Sequence, residues 1–316
     1  MPEFGPMMVT LLGGLAIFFF GDAATRMKER WRTLPFKIGS TETTLDKKMI
    51  DTNTYRVMPG KVVKLSKWQT LTELDLKKKE AKSHFRDICD ELVELQRVLY
   101  AEQKHKLLIV FQGMDGSGKD STIRKVIGPM NPHGCRVVDF KVPTATDLAH
   151  DYLWRIHAQV PSVGMIGVFN RSHYESLTVE RVKEIATKEV WKKRFEHVNA
   201  FEKMLADEGT KILKFFLHIS PDHQKARLLH RMNNPEKHWK LDPSDFTERK
   251  RWDEYEVAYE EAITKTSTKQ NPWYIIPAEI KLARNVIVGK IVLGALKSLD
   301  MKYPEPKVDP SEMQLD

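Results

Sequence analysis

The sequence predicts an α/β fold, a central parallel sheet with helices on both of its faces, and three observations carry that prediction. Five short runs rich in apolar and β-branched residues, at 107–111, 136–140, 165–169, 212–219 and 273–276, are separated by stretches of helical character. Strands that recur between helices pair in parallel, because right-handed crossovers return each strand in the same direction. A glycine-rich loop that opens a helix follows the first run directly, and a long amphipathic segment precedes it. Strands of such a sheet are expected to be apolar throughout, since both faces are covered.

The 316 residues suffice for one large domain with appendages. Lys and Arg number 51 against 43 Asp and Glu, a net charge of +8, which suits a polyanionic partner without saying which kind. Cys89 and Cys135 form no CxxC pair, so neither a disulfide framework nor a cysteine zinc site is expected, and the reducing cytoplasm is the natural compartment. The apolar run 7–20 falls short of the roughly 20 helical residues that span a bilayer, so no membrane association is expected. Residues 1–6 carry Glu3 and no Lys or Arg, unlike a secretory signal. Residues 1–44 are therefore expected to be an extension outside the fold, irregular or artificially appended, followed by a domain over 45–300 and a polar tail over 301–316.

Along the chain, residues 21–66 mix charges, Thr and Pro with no sustained period and read as an irregular lead-in. From 71 to 103 the spacing predicts a long helix, with Ile88, Leu92, Leu95 and Leu99 on one face and the lysines of 77–82 in solvent. The five strands then place their C-terminal ends on one edge of the sheet, where ligands of such folds bind. A basic, aromatic and Pro-containing stretch at 225–250 reads as a mobile helical lid, with an ordinary charged hairpin as the alternative. His150 and His157 lie seven apart on an expected helix, but no carboxylate pattern makes them a metal site. Trp239 and Trp273 suit either base stacking or packing.

The chemistry is concentrated after the first strand, where Gly113-Met-Asp-Gly-Ser-Gly-Lys-Asp-Ser-Thr122 has the spacing of a P-loop. Its glycines let backbone N–H groups converge on phosphate oxygens, the following helix adds positive potential, and Lys119 supplies a point charge. Asp120 occupies the place of the hydroxyl residue that ordinarily reaches Mg²⁺. Asp115 puts a carboxylate inside the loop, where it would repel phosphate by roughly 4 kcal/mol at 4 Å and an effective dielectric of 20. It either holds a cation that bridges phosphates or caps the start of the helix. The third strand ends in Phe169-Asn-Arg-Ser-His-Tyr-Glu175 on the same edge. Arg171 there can neutralise charge on a transferring phosphoryl group, and Glu175 can complete a metal shell or position an acceptor.

These two motifs, with 140–144, 153–157, 199–205, 214–220, 235–241 and 271–277, resemble the polyphosphate kinase family 2 over roughly residues 45–300. The resemblance implies a three-layer α/β/α P-loop kinase fold similar to thymidylate kinases, with a helical lid and assembly of identical chains. It implies reversible Mg²⁺-dependent transfer between inorganic polyphosphate and nucleotides (AMP, ADP, ATP). Asn170, where many relatives carry Asp, is similar to the subgroup that accepts both mono- and diphosphates. It implies that Asp115, Lys119, Asn170, Arg171 and Arg231 act on phosphate and metal; the expected catalytic residues are Asp115, Lys119, Arg171 and Arg231, and the residue reading adds Glu175 beside Asp115 toward metal. Gly113, Gly116, Ser117, Gly118, Asp120, Ser121, Arg124, Lys141, Asn170, His173, Glu175, Lys237 and Lys240 complete the candidate phosphate and nucleotide site. The competing enzyme is an ATP-dependent nucleotide kinase. A nucleic-acid-binding switch is disfavoured, because the chain has no RNP-type motif, zinc knuckle or long Lys/Arg tract.

Overall fold

The computed structural model describes residues 50–308. The expectations for 1–44 and for the last part of the tail lie outside them.

All five expected strands form: β1 (Lys106–Gln112), β2 (Cys135–Asp139), β3 (Ile166–Asn170), β4 (Thr210–His218) and β5 (Trp273–Pro277). They make one sheet in the order β2-β3-β1-β4-β5, every neighbouring pair parallel. The most apolar strand is central: β1 is buried along its length save Lys106 and pairs with β3 on one side and β4 on the other. Its last paired residues, Phe111 with Asn170 and Gln112 with Phe216, bring three strand ends to one level. β2 and β3 lie on one side of β1 and β4 and β5 on the other, so a crevice opens at its C-terminal end, where the strand order reverses.

The expectation of uniformly apolar strands fails at β2. It is an edge strand, exposed on much of its surface with Val137 half open, because only β3 pairs with it. An edge needs no second apolar face.

Ten helices accompany the sheet among the described residues: α1 (Lys78–Glu102), α2 (Lys119–Val126), α3 (Ala145–Leu148), α4 (Trp154–His157), α5 (Val179–Val182), α6 (Lys188–Asp207), α7 (Pro221–Met232), α8 (Pro243–Arg249), α9 (Trp252–Thr266) and α10 (Lys281–Lys297). Six of them form two groups: α10 packs on α1 and α2, while α9 packs on α5 and α6. The long helix begins at Lys78 rather than 71, where the Lys77 backbone N–H donates to the Glu80 carboxylate at 3.2 Å. Ile88, Leu92 and Leu99 are buried as their spacing required, and Leu95 is half-buried. His150 and His157 do not share a helix, since the chain turns between α3 and α4; His150 stacks on Trp154.

The described part of the lead-in, 50–66, packs against the sheet: the Val57 N–H donates to the Trp273 carbonyl at 2.8 Å, and Val57, Val63 and Leu65 are buried. The 225–250 stretch lies in α7, a 3-10 turn (Pro235–Lys240) and α8. Ser220 and Asp242 cap the two helices with side-chain oxygens, each followed by Pro at the first helical position.

Candidate active site

The loop after β1 is shaped by positions that tolerate only glycine. Gly113 has φ +145°, and a Cβ there would lie 2.7 Å from the Leu217 carbonyl of β4; Gly118 has φ +97° and sits against Arg284. Lys119 is the first residue of α2, and its buried ammonium donates to the Gly113 carbonyl at 2.7 Å, so it lies over the loop. Burial pulls its pKa down, with the Asp115 charge working against that.

Of the two roles open to Asp115, the helix cap is not the one its contacts display. The N-cap of α2 is Gly118 and receives no side-chain cap bond, whereas Asp115 Oδ1 accepts from Arg171 Nη2 at 2.9 Å. The other guanidinium nitrogen of Arg171 approaches Glu175 Oε2 at 3.9 Å, so one cation bridges two carboxylates. Burial opposes ionisation of Asp115, but Lys119 and Arg171 outweigh it and hold the pKa below the usual carboxylate range. For Glu175 burial wins over the same two cations, and its pKa is raised. Two neighbouring carboxylates are thereby set apart in acidity. Arg171 itself sits at φ +62°, an uncommon conformation for a residue with a side chain.

Across the crevice stand α7, α8 and the turn between them. Gln224 of α7 donates to the Asp115 carbonyl at 2.8 Å and accepts from Arg249 of α8 at 2.9 Å. Arg231 pairs with Asp245 at 3.1 Å, and its charge reaches Asp115. These elements enclose a cavity of about 1250 Å³ whose lining includes thirteen lysines and arginines against seven carboxylates. Several of the cations depress one another. Burial lowers the pKa of Arg284 to about 10, with Arg227 adding to the effect; burial, then Arg227, Arg284 and Lys237, lowers that of Lys281. Charges crowded in this way describe a surface shaped for a polyanion.

Gly113, Asp115, Gly116, Gly118, Lys119, Asp120, Ser121, Arg124, Lys141, Asn170, Arg171, Glu175, Arg231, Lys237 and Lys240 all line this cavity. Asp120 and Asn170, from separate motifs, meet there, the Asn170 amide donating at 2.9 Å. Two expected residues do not line it. Ser117 is buried inside the loop, its hydroxyl without a partner. His173 is also buried, because the 3-10 turn His173–Ser176 points its ring away from the cavity, with Nε2 3.2 Å from Glu202 of α6. Trp273 is a core residue, while Trp239 is exposed under the Lys240 ammonium.

Sequence reasoning missed Arg284, Arg227, Gln224 and Lys281. Arg284 is fully buried in α10 and donates to Ser121 Oγ at 2.7 Å and the Ser117 carbonyl at 3.2 Å, fastening the loop from outside. Its signal was a lone Arg near the start of the apolar stretch 286–296.

The sequence profile of polyphosphate kinase 2 matches residues 75–304. The chain belongs to the polyphosphate kinase 2 family. The enzyme is thus a phosphotransferase, and its relatives agree. It is 54% identical over 216 residues to the AMP/ADP-polyphosphate phosphotransferase of Meiothermus ruber, covering 68% of this chain and 81% of that one. It is 41% identical over 272 residues to the ADP-polyphosphate phosphotransferase of Rhodopseudomonas palustris, covering 81% and 93%. The crystal structure of polyphosphate kinase 2 from Arthrobacter aurescens TC1 superposes with a TM-score of 0.79 at 37% identity, over 82% of this chain and 93% of that one.

Proposed function

We propose that the enzyme transfers phosphoryl groups reversibly between inorganic polyphosphate and both AMP and ADP, with Mg²⁺ as cofactor. The observation that carries the reading is the meeting, in one cation-lined cavity, of the P-loop with the Asp115, Arg171 and Glu175 cluster. An ionised oxygen of the acceptor phosphate attacks the terminal phosphorus of polyphosphate in line; that P–O bond forms as the bond to the next phosphate breaks. No general base is needed, because the attacking oxygen carries no proton. Lys119 and Arg171 absorb charge on the transferring group, Arg231 approaches it from the lid side, and α7 and α8 exclude water.

The residues present suit magnesium. Among the described residues no group of three or more His, Cys, Asp or Glu forms a protein cage, while Asp115 and Glu175 flank one guanidinium. Magnesium is ordinarily held by one or two carboxylates together with substrate phosphates and water. Asp115 and Glu175 would hold it, and it would supply positive charge that neutralises phosphate oxygens.

Two acceptors are supported by the name of the Meiothermus ruber relative and by the neutral Asn170 amide, which repels an additional phosphate less than Asp would. Product analysis tests this: AMP should give ADP and then ATP, and conversion of ADP alone would refute the double acceptor range. EDTA should abolish turnover and Mg²⁺ restore it. We also propose assembly of identical chains, which a mass measurement in solution checks, and a cytoplasmic location. The latter is supported by the free thiols of Cys89 and Cys135. No described helix is long and apolar enough to cross a membrane.

A further inference from the structure

Behind the strand-end motif, on the side away from the cavity, lies a buried polar cluster that the reaction itself does not touch. The Glu202 carboxylate of α6 accepts from Tyr174 Oη at 2.7 Å, from Lys214 Nζ of β4 at 2.6 Å and from His173 Nε2 at 3.2 Å. Lys214 donates also to the Thr266 carbonyl at 2.7 Å and lies 3.0 Å from Tyr174 Oη. All four side chains are within 2% of full burial. With Nδ1 of His173 facing no partner, the proton belongs on Nε2, toward Glu202.

A charged cluster so deep is a poor source of stability, since desolvating the ions offsets their attraction. What it does hold is the turn that carries the catalytic motif. Arg171 adopts φ +62°, a conformation that persists only where its surroundings over-determine it. Upstream, its N–H is fixed to the Phe111 carbonyl at 3.0 Å. Downstream, Ser172 Oγ accepts from Gln112 and from the Tyr174 N–H, each at 3.2 Å, and the next two side chains both end on Glu202. Arg171 cannot relax without moving that turn, and the turn cannot move without breaking the cluster.

We infer that Tyr174 and His173, clamped by the Glu202–Lys214 pair, are positioning residues that hold Arg171 against Asp115 and set the rate of phosphoryl transfer. The inference rests on the catalytic role given to Arg171 above.

Tyr174→Phe removes one hydroxyl and leaves the Glu202–Lys214 pair in place. It should lower kcat about tenfold with little change in KM for polyphosphate, because a displaced Arg171 loses contact made in the transition state. The decisive measurement is a double-mutant cycle with Arg171→Lys, read in kcat and in Tm. In the Arg171→Lys enzyme, Tyr174→Phe should change kcat by less than about twofold while lowering Tm as much as it does in the parent. If the two effects on kcat multiply, or if Tyr174→Phe alters Tm and leaves kcat intact, the cluster is only structural and the inference is overturned. An Arg171→Lys enzyme as active as the parent would instead refute the role of Arg171.

Discussion

At the scale of single residues, Asp115 carries the sharpest expectation. Asn at this position keeps size and hydrogen bonding but removes the charge, so the loop should form while Arg171 and the cation lose their shared partner. Turnover should fall by at least ~100-fold, a loss of about 2.7 kcal/mol of transition-state stabilisation, with little change in Tm. Near-native turnover across a Mg²⁺ titration would refute the metal role. Glu175 should behave differently. Its pKa is raised, so the ionised form is disfavoured by the fold and costs stability at neutral pH, a cost that vanishes below the ordinary carboxylate pKa. Glu175→Gln should therefore hold or raise Tm while kcat falls at least about tenfold, since the charge facing Arg171 is gone. Thermal unfolding beside steady-state kinetics tests both halves, and a lower Tm would contradict the sign. The residues legible in the sequence were those of contiguous motifs, the P-loop and the end of β3. Arg284 was not, because its contact with Ser121 spans 163 positions and no local pattern announces it.

Among elements, strands were read within about two residues because apolar runs between turn signals leave few alternatives. Failures came where tertiary context decided. The exposure of β2 follows from its place at the edge, which composition does not state. The break between α3 and α4 separates two histidines that spacing had joined. His173 reads as a phosphate residue through its neighbours in the motif, whereas the chain, turning after Arg171 into the 3-10 turn His173–Ser176, leaves Arg171 and Glu175 at the cavity and puts His173 and Tyr174 in the core. The segment of α7 and α8 was legible as helical in outline. Its attachment is polar, through Gln224 to the Asp115 carbonyl and Arg231 to Asp245, with an exposed turn between. Contacts of that kind open more readily than packed ones. Limited proteolysis should cut the enzyme alone within 233–242 and spare it when polyphosphate and AMP are both present; an unchanged cleavage rate would argue against closure.

For the molecule as a whole, the parallel sheet with β1 at its centre puts the P-loop, the β3 motif and α7 at one crevice, and the net charge of +8 has its counterpart in the cationic lining. Polyphosphate affinity should accordingly weaken steeply with salt, as bound cations on a polyanion are released; an affinity flat across a salt titration would remove the groove from the account. Arg284 and Lys281 extend this argument. Their pKa values are depressed by burial and crowding, so their charge costs stability at neutral pH; for Arg284 that cost begins to be relieved as pH rises past about 10. A bound polyanion relieves the same cost at neutral pH and should raise Tm strongly there. The most direct measurement of the central claim gives the enzyme polyphosphate, AMP and Mg²⁺ with no ATP and follows the nucleotides by chromatography. The account predicts ADP, then ATP, at the expense of polyphosphate. Formation of ADP only when ATP is supplied would contradict it and identify an ordinary nucleotide kinase.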